Sequence, residues 1–302
     1  MKINRIITIG LFLAMALLGF PTSLWSAEVV VLNSPSAGNL KLSKEALTAM
    51  YLKITGEIDA RDFKTLKAVT INSTRILDLS EAEIVSYEGD EGCYAPITSD
   101  WMVDDRVWYH TYEANTLPIH AFAEVRDNSL SKWYEGSSTL RRLILPATLK
   151  NIEYDALRFN DMLTEIITPE NSEFLVSDGH TIYTTDNKNL VAIAPAYTGS
   201  IDIPATVEEI DSCAFSGLKL AYVSFNSIDV PQMKGSNLLD AACVVVPDVQ
   251  QYSEYFGELD CVEEVEEITV NNITADSLLF VLGNMGYRRE DVRDIRISGE
   301  LS

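Results

Sequence analysis

Few residues in this chain carry groups able to do covalent chemistry at neutral pH. There are three histidines, His110, His120 and His180, and four cysteines, Cys93, Cys213, Cys243 and Cys261. A thiol becomes a nucleophile when a base takes its proton, and Cys93 with His110 is the pair that could be imagined in those roles. No oxyanion element or orienting partner surrounds them. The sequence also lacks HExxH, GxSxG, a phosphate-binding loop, or GxGxxG between a strand and a helix. His120 falls in LPIHAF, where a solvated or packed side chain is the ordinary role. The chain is therefore not expected to be an enzyme, and no catalytic residue, cofactor or metal is assigned. The cysteine spacings fit no zinc or thioredoxin pattern. Three pairings stay open, the shortest joining Cys243 to Cys261, and free half-buried thiols are the other reading.

Recognition chemistry is better represented. Trp101, Trp108 and Trp133 share one stretch with Tyr94, Tyr109, Tyr112 and Tyr134. Tryptophan and tyrosine anchor interfaces and stack on sugar rings because they pair an apolar body with a polar tip. Trp101, Trp108, Tyr109, Tyr112 and Trp133 are the candidate ligand-binding residues. Packing of a broad, irregular repeat is the competing role for the same rings. The acidic runs YEGDEG at 87–92, the stretch 100–105 and CVEEVEEITV at 261–270 match no EF-hand loop, which points to solvated loops or strands rather than a calcium site.

The elements that would position these residues show themselves as an internal repeat. PATLKNIEYDAL at 146–157 aligns without a gap on PATVEEIDSCAF at 204–215. Before each proline the apolar residues alternate, Leu143 and Leu145 in LRRLILP, Ile201 and Ile203 in IDIP, which predicts a short strand with one buried face. Proline ends the strand because it has no N–H to give the ladder. Leu149 and Ile152, then Val207 and Ile210, point inward as the chain turns, and Ala156–Leu157 or Ala214–Phe215 close the coil. One such unit cannot bury its apolar side alone, so the units must stack into a solenoid with one continuous core.

The strings LRRLILPATLKNIEYDAL, FLVSDGHTIYTTDNKNLVAIAPAYTGSIDIPATVEEIDSCAF and CVVVPDVQQYSEYF resemble BspA-like leucine-rich repeats, found in bacterial surface proteins. The second string is similar to the variant in which a β-hairpin, here around 178–187, interrupts two repeats. The third resembles a terminal strand followed by a tyrosine-bearing helix that covers the open end. The resemblance implies a leucine-rich-repeat solenoid: a parallel β-sheet of short strands, an inserted β-hairpin, and irregular or short helical returns. It implies an exported, adhesin-type binding protein and brings no catalytic residues.

Outside the repeats, LKITGEID at 52–59 is echoed by IRISGELS at 295–302. Each follows a stretch read as a short amphipathic helix, 42–50 and 275–285. The second copy reads as an unfinished module whose exposed strand could drive self-association. At the N-terminus, Lys2 and Arg5 precede an apolar run at 6–20 and small residues near Ala27, the pattern of a secretory signal peptide. That run is short of the ~20 residues needed to span hydrocarbon, so membrane contact is expected through export alone. The division expected is 1–27 signal peptide, 28–114 N-terminal cap and irregular first repeats, 115–257 repeats with terminal cap, and 258–302 acidic linker with the unfinished module. A net charge of −22 on 302 residues repels phosphate, excluding nucleic acid as a natural partner. The expected function is binding of a protein or glycan at the cell surface or after secretion, without turnover. A structural spacer in a larger surface protein is the alternative, and a degradative enzyme the more distant one.

Overall fold

The computed structural model describes residues 28–94, 109–127, 132–212, 214–215, 217–235, 239, 241, 243–253 and 261–264. It is a parallel β-solenoid of about eight turns with little helix. The chain opens with β1 (Val29–Ser34), β2 (Tyr51–Ile58), α1 (Ala60–Thr70) and β3 (Ile76–Ile84). An excursion follows, carrying β4 (Tyr87–Gly89), β5 (His110–Tyr112), β6 (Thr116–Leu117), β7 (Glu124–Asp127) and β8 (Lys132–Glu135). The regular coils hold β9 (Arg142–Ile144), β10 (Asn151–Ile152) and β11 (Glu165–Ile167). Next come β12 (Leu175–Ser177), β13 (Thr181–Thr184), β14 (Asn189–Ile193), β15 (Ser200–Ile203) and β16 (Glu209–Ile210). The described chain finishes with β17 (Tyr222–Phe225), β18 (Gln232–Met233), β19 (Val244–Val246), α2 (Val249–Tyr252) and β20 (Val262–Glu264).

Each regular coil contributes to two faces. One face is a parallel sheet ordered β1-β2-β3-β9-β11, with a second parallel group β15-β17-β19-β20. The other holds short pairs, β6 with β10 and β14 with β16 and β18, of which β10, β16 and β18 each follow a proline. β3 pairs directly with β9; within the stretch between them β6 takes its place in the solenoid beside β10, while β4 with β5 and β7 with β8 form separate antiparallel pairs. Pro204 follows β15 and Pro247 follows β19 at once, ending each strand where its ladder would need an N–H. The expected hairpin is present as an antiparallel meander, β12-β13-β14, whose last strand rejoins the solenoid beside β16.

The repeat register is the one read from the sequence. Leu145, Leu149, Ile152, Ile203, Val207, Ile210 and Phe215 are all buried. They do not share one core, however. Leu145, Leu149 and Ile152 belong to a cluster that starts at Leu40, and Ile203 to Phe215 belong to a second that runs on to Tyr252. The meander separates the two, and Tyr197 packs against both.

Three further expectations change. The stretch 42–50 forms only a 3-10 turn at Ala46–Thr48. A helix that short nucleates poorly, and the Met50 carbonyl must accept from the N–H groups of Arg75 and Ile76 as the chain enters β2. The helix of this region is α1, announced by a capping box: the Asp59 side chain accepts from the Arg61 N–H, and Asp62 reaches back to the Asp59 N–H at 2.9 Å. Finally, the segment after 258 is not only a linker. β20 pairs with β19 beyond α2, and a Cys243–Cys261 disulfide joins the residues that precede the two strands. Tyr252 does cap the second cluster: it is 1% exposed and its hydroxyl donates to the Ser227 carbonyl at 2.7 Å. Cys93 is free and buried, whereas Cys213, the expected signal peptide at 1–27 and the echo at 295–302 lie outside the described residues.

Candidate functional site

The sheet of β1, β2, β3, β9 and β11 alternates inward aliphatics such as Leu52, Leu77, Leu143 and Ile166, all 0% exposed, with an outward set. Strand register aligns that outward set into rows across five coils. One row is Val29, Tyr51, Ile76, Arg142, Glu165; the next is Val31, Lys53, Asp78, Ile144, Ile167. Val29 and Val31 at the edge are 44% and 56% exposed, and most of the others are half-buried by their neighbours.

Charges within the rows are paired across strands rather than left to repel. Lys53 lies 2.8 Å from Glu81 and 3.6 Å from Asp78, and the Tyr51 hydroxyl donates to Asp78 at 3.2 Å. The Arg142 guanidinium donates to Glu165 at 2.5 Å. Burial is the first cause that pushes the Tyr51 phenol above its usual range, with the Asp78 carboxylate next. The result is a gently mixed surface: aliphatic patches interleaved with compensated ion pairs, one residue from each coil per row. Such a surface is suited to contact over several coils.

Of the candidate aromatic residues, the side chains of Tyr109 and Tyr112 are described, and only Tyr112 departs from the expected surface role. Tyr109 is exposed, and its hydroxyl donates to Glu88 at 2.6 Å. Tyr112 is only 3% exposed, so it is a core residue and not a surface anchor. Its hydroxyl accepts from the Tyr94 N–H at 2.9 Å, and its ring joins a continuous stack. The stack runs from Arg61 over Tyr87 (4.5 Å) to Tyr112 (5.9 Å), His110 (4.7 Å) and Tyr94 (4.6 Å). It continues through His120 (6.3 Å), Tyr134 (4.2 Å) and Phe159 (5.1 Å) and ends under Arg158 (5.0 Å). Ring stacking thus supplies the packing that the excursion lacks in regular ladder bonds. Trp133 has its backbone in β8, and Trp101 and Trp108 lie outside the described residues.

The imagined pair of Cys93 and His110 is not assembled as nucleophile and base. The Cys93 thiol donates to the Ile119 carbonyl at 3.2 Å, and burial pushes it up to about 11, so it stays protonated at neutral pH. His110 is engaged in stacking with Tyr94 and Tyr112. His120, in the left-handed region at φ 56, is pushed down to about 3, chiefly by burial and then by the Lys67 and Arg158 charges. Among the described residues no three His, Cys, Asp or Glu side chains are grouped to hold a metal, and no helix is long and apolar enough to cross a membrane.

The outward sheet rows were not singled out from sequence. Their signal was present in the polar members of the alternation, in YLKITGEI and ILDLSEAEI, but which strands would stand side by side depends on the excursion between β3 and β9.

No family model matches the chain, and no curated protein does. Among solved structures it is similar to a leucine-rich repeat protein from Eubacterium ventriosum, at 12% identity over 78% of this chain and a TM-score of 0.37. It is also similar to the pneumococcal vaccine antigen PcpA, at 12% identity over 85% of this chain and 76% of that one, with a TM-score of 0.31. The chain spans 63% of the length of the Eubacterium protein. These are distant likenesses, and the repeat architecture described above rests on its own strand pairing.

Proposed function

We propose that this chain is an exported binding module of the BspA-like, adhesin type, which recognises a partner protein through the outward rows of the β1-β2-β3-β9-β11 sheet without chemical turnover. The observation that carries the reading is the row Val31, Lys53, Asp78, Ile144, Ile167: aliphatic side chains at both ends of a compensated charge group, repeated over five coils in register. A spacer has no need for exposed valines such as Val29 and Val31 on an edge strand. A face of this kind buries area over several strands and suits a folded protein partner, with the paired charges setting orientation. Strong net acidity turns it away from nucleic acid and anionic membranes.

The test is an array of purified extracellular-matrix proteins probed with the exported chain and with a Val31→Asp, Ile144→Glu double variant. Capture by the native chain and its loss in the variant, at unchanged melting temperature, is the expected result. Equal capture by both chains, or none by either, removes this face as the binding site. Export is checked separately by N-terminal sequencing of secreted protein, which should begin close to Glu28.

A further inference from the structure

We propose that copies of this chain associate head to tail, with residues 267–302 of one copy continuing the solenoid onto the open edge of β1 in the next. β1 stands at the end of its sheet, paired with β2 on one side and with no strand on the other among the described residues. The Ser34 carbonyl faces β2, where a Cβ at Gly56 would collide with it. Residues of a strand direct their backbone groups to alternate sides, so Val29, Val31 and Asn33 present N–H and C=O groups to the open edge. The coil beneath is open too. Val30 and Leu32 point inward yet stay only partly buried, whereas Leu52 and Ile54, one coil further in, are 0% exposed. Leu47 and Met50, later in the same coil, are 46% and 39% exposed. The end coil of a solenoid needs a polar outer face to stay apart from other chains. Here residues 29–40 include no charged side chain, in a chain of net charge −22, and β1 carries none of the charges or prolines that guard an edge strand.

The C-terminal stretch carries the matching piece. EVVV at 28–31 precedes LKITGEID at 52–59, and EITV at 267–270 precedes IRISGELS at 295–302, in the same order and at similar spacing. Two matched strings in one order make 267–302 a second copy of the β1–β2 unit rather than a chance octapeptide. This copy starts close behind β20, which ends at Glu264. Ile268 lies four residues on, a reach of at most roughly 14 Å. About eight turns, at roughly 4.8 Å each, put β1 more than 30 Å from β20. The repeated unit therefore starts at the β20 end, and the β1 that it meets belongs to a second copy.

The order of stacking names the strands that join. Within the chain β2 has β1 on one side and the next coil's strand, β3, on the other. The β2-like string at 295–302 accordingly offers its far side to β1 of the next copy, in parallel. Ile295 and Ile297 stand where Leu52 and Ile54 do, and in that place they cover Val30 and Leu32. Charge favours this contact over any other between two acidic chains. Residues 268–302 hold four arginines against five acidic residues, so both joining surfaces are close to neutral and repulsion is least there. A head-to-tail contact is heterologous and repeats, which gives open chains of copies rather than closed pairs. It uses the edge of β1 and not its outward face, so it is independent of the capture of a partner protein by the sheet rows.

Analytical ultracentrifugation of the full exported chain from about 1 to 200 µM should show an average mass that rises past that of two copies. Val31→Pro removes an N–H from the open edge, and Ile297→Asp sets a carboxylate into the joint. Each variant alone should stay a single copy. Mixed in equal amounts they should form pairs and nothing longer, because the intact tail of the first meets the intact edge of the second. Melting temperatures identify a variant that fails to fold; Val29→Lys then replaces Val31→Pro, and Ile295→Asp replaces Ile297→Asp, with the same expected result. A native chain that stays single over the whole range, association that survives the tail variant, or a mixture that does not pair overturns the proposal. Pairs formed by the tail variant alone would show β1 meeting β1, which overturns it equally.

Discussion

His120 and Asp62 show how much single buried polar groups decide in the N-terminal half. His120 is 4% exposed, its Nδ1 has no hydrogen-bond partner among the described residues, and burial holds it neutral with a value near 3. In the unfolded chain a histidine titrates at about 6.5. The unfolded state therefore takes up the proton first as pH falls. The contribution of neutral His120 is complete above about pH 6.5 and is lost progressively between there and about 3, by up to ~1.4 kcal/mol per pH unit. His120→Asn keeps a residue that tolerates the left-handed backbone and removes this titration. Urea midpoints measured from pH 7.5 to 4.5 should fall less steeply for the variant than for the native chain, and parallel curves would show that His120 is not held neutral. Asp62 has the opposite role, as a fully used acceptor. It is 1% exposed and receives the N–H groups of Gly38 (2.6 Å), Leu40 (2.9 Å) and Asp59 (2.9 Å). Asp62→Ala leaves those donors without the carboxylate and should cost roughly 2–4 kcal/mol in chemical denaturation, against under about 0.5 for an exposed change such as Glu57→Ala. Asp62 was assigned no role from the sequence. That it clamps the 38–40 loop depends on a contact across more than twenty residues, which no local pattern encodes.

At the scale of elements, the proline-delimited strands were readable because their physics is local: alternation buries one face, and proline stops the ladder. The same locality explains what was missed. The split of the core depends on where β14 is inserted, and α1 was hidden because Phe63, Leu66 and Val69 can be read as repeat aliphatics until the Asp59 cap is recognised. Gly56 gives the motif LKITGEID its reason. It adopts φ +86, and a Cβ there would collide with the Ser34 carbonyl of β1, so the close approach of β1 and β2 demands glycine. The two-cluster core makes a prediction that a single core does not. Ile210 is 0% exposed in the second cluster, so Ile210→Asp buries an unpaired carboxylate at a cost of about 4 kcal/mol or more. Amide exchange should then lose protection from Tyr183 to Tyr252 while Leu52, Leu66 and Leu77 of the first cluster stay protected. Uniform loss across the chain would mean that Tyr197 and the meander couple the clusters into one cooperative unit.

For the molecule as a whole, acidity is the dominant global property, and its arrangement follows from parallel stacking. In-register coils place equivalent side chains about 4.8 Å apart, so an acidic position repeated in successive coils becomes a column of like charge. Glu57 and Glu83 are register partners on β2 and β3 in this way. The chain has 23 Lys and Arg against 45 Asp and Glu, and several of its cations are spent between neighbouring coils. Lys53 serves Asp78 and Glu81, Lys188 serves Glu208, and Lys234 serves Glu209 and Asp211. Apart from Lys53 with Asp78, which is mostly buried, these pairs are at least partly exposed and individually worth little, about 0–1 kcal/mol, so they do not offset the acidic columns. Screening by salt acts on both terms, shortening the reach of charge to roughly 10 Å at 0.1 M and 3 Å at 1 M. Because repulsion outnumbers attraction here, screening should stabilise. The melting temperature should rise by about 3–6 °C between 10 mM and 500 mM sodium chloride, equivalent to roughly 1–2 kcal/mol for a chain of this size. The rise should be smaller in a Glu57→Gln, Glu83→Gln variant, which removes one facing pair, and larger in Lys53→Gln, which strips a bridging cation from the same sheet. A melting temperature that falls with added salt would show that the interstrand ion pairs outweigh the acidic columns, and that the strongly negative surface is set by what the protein must repel in solution rather than tolerated as a cost to its own folding.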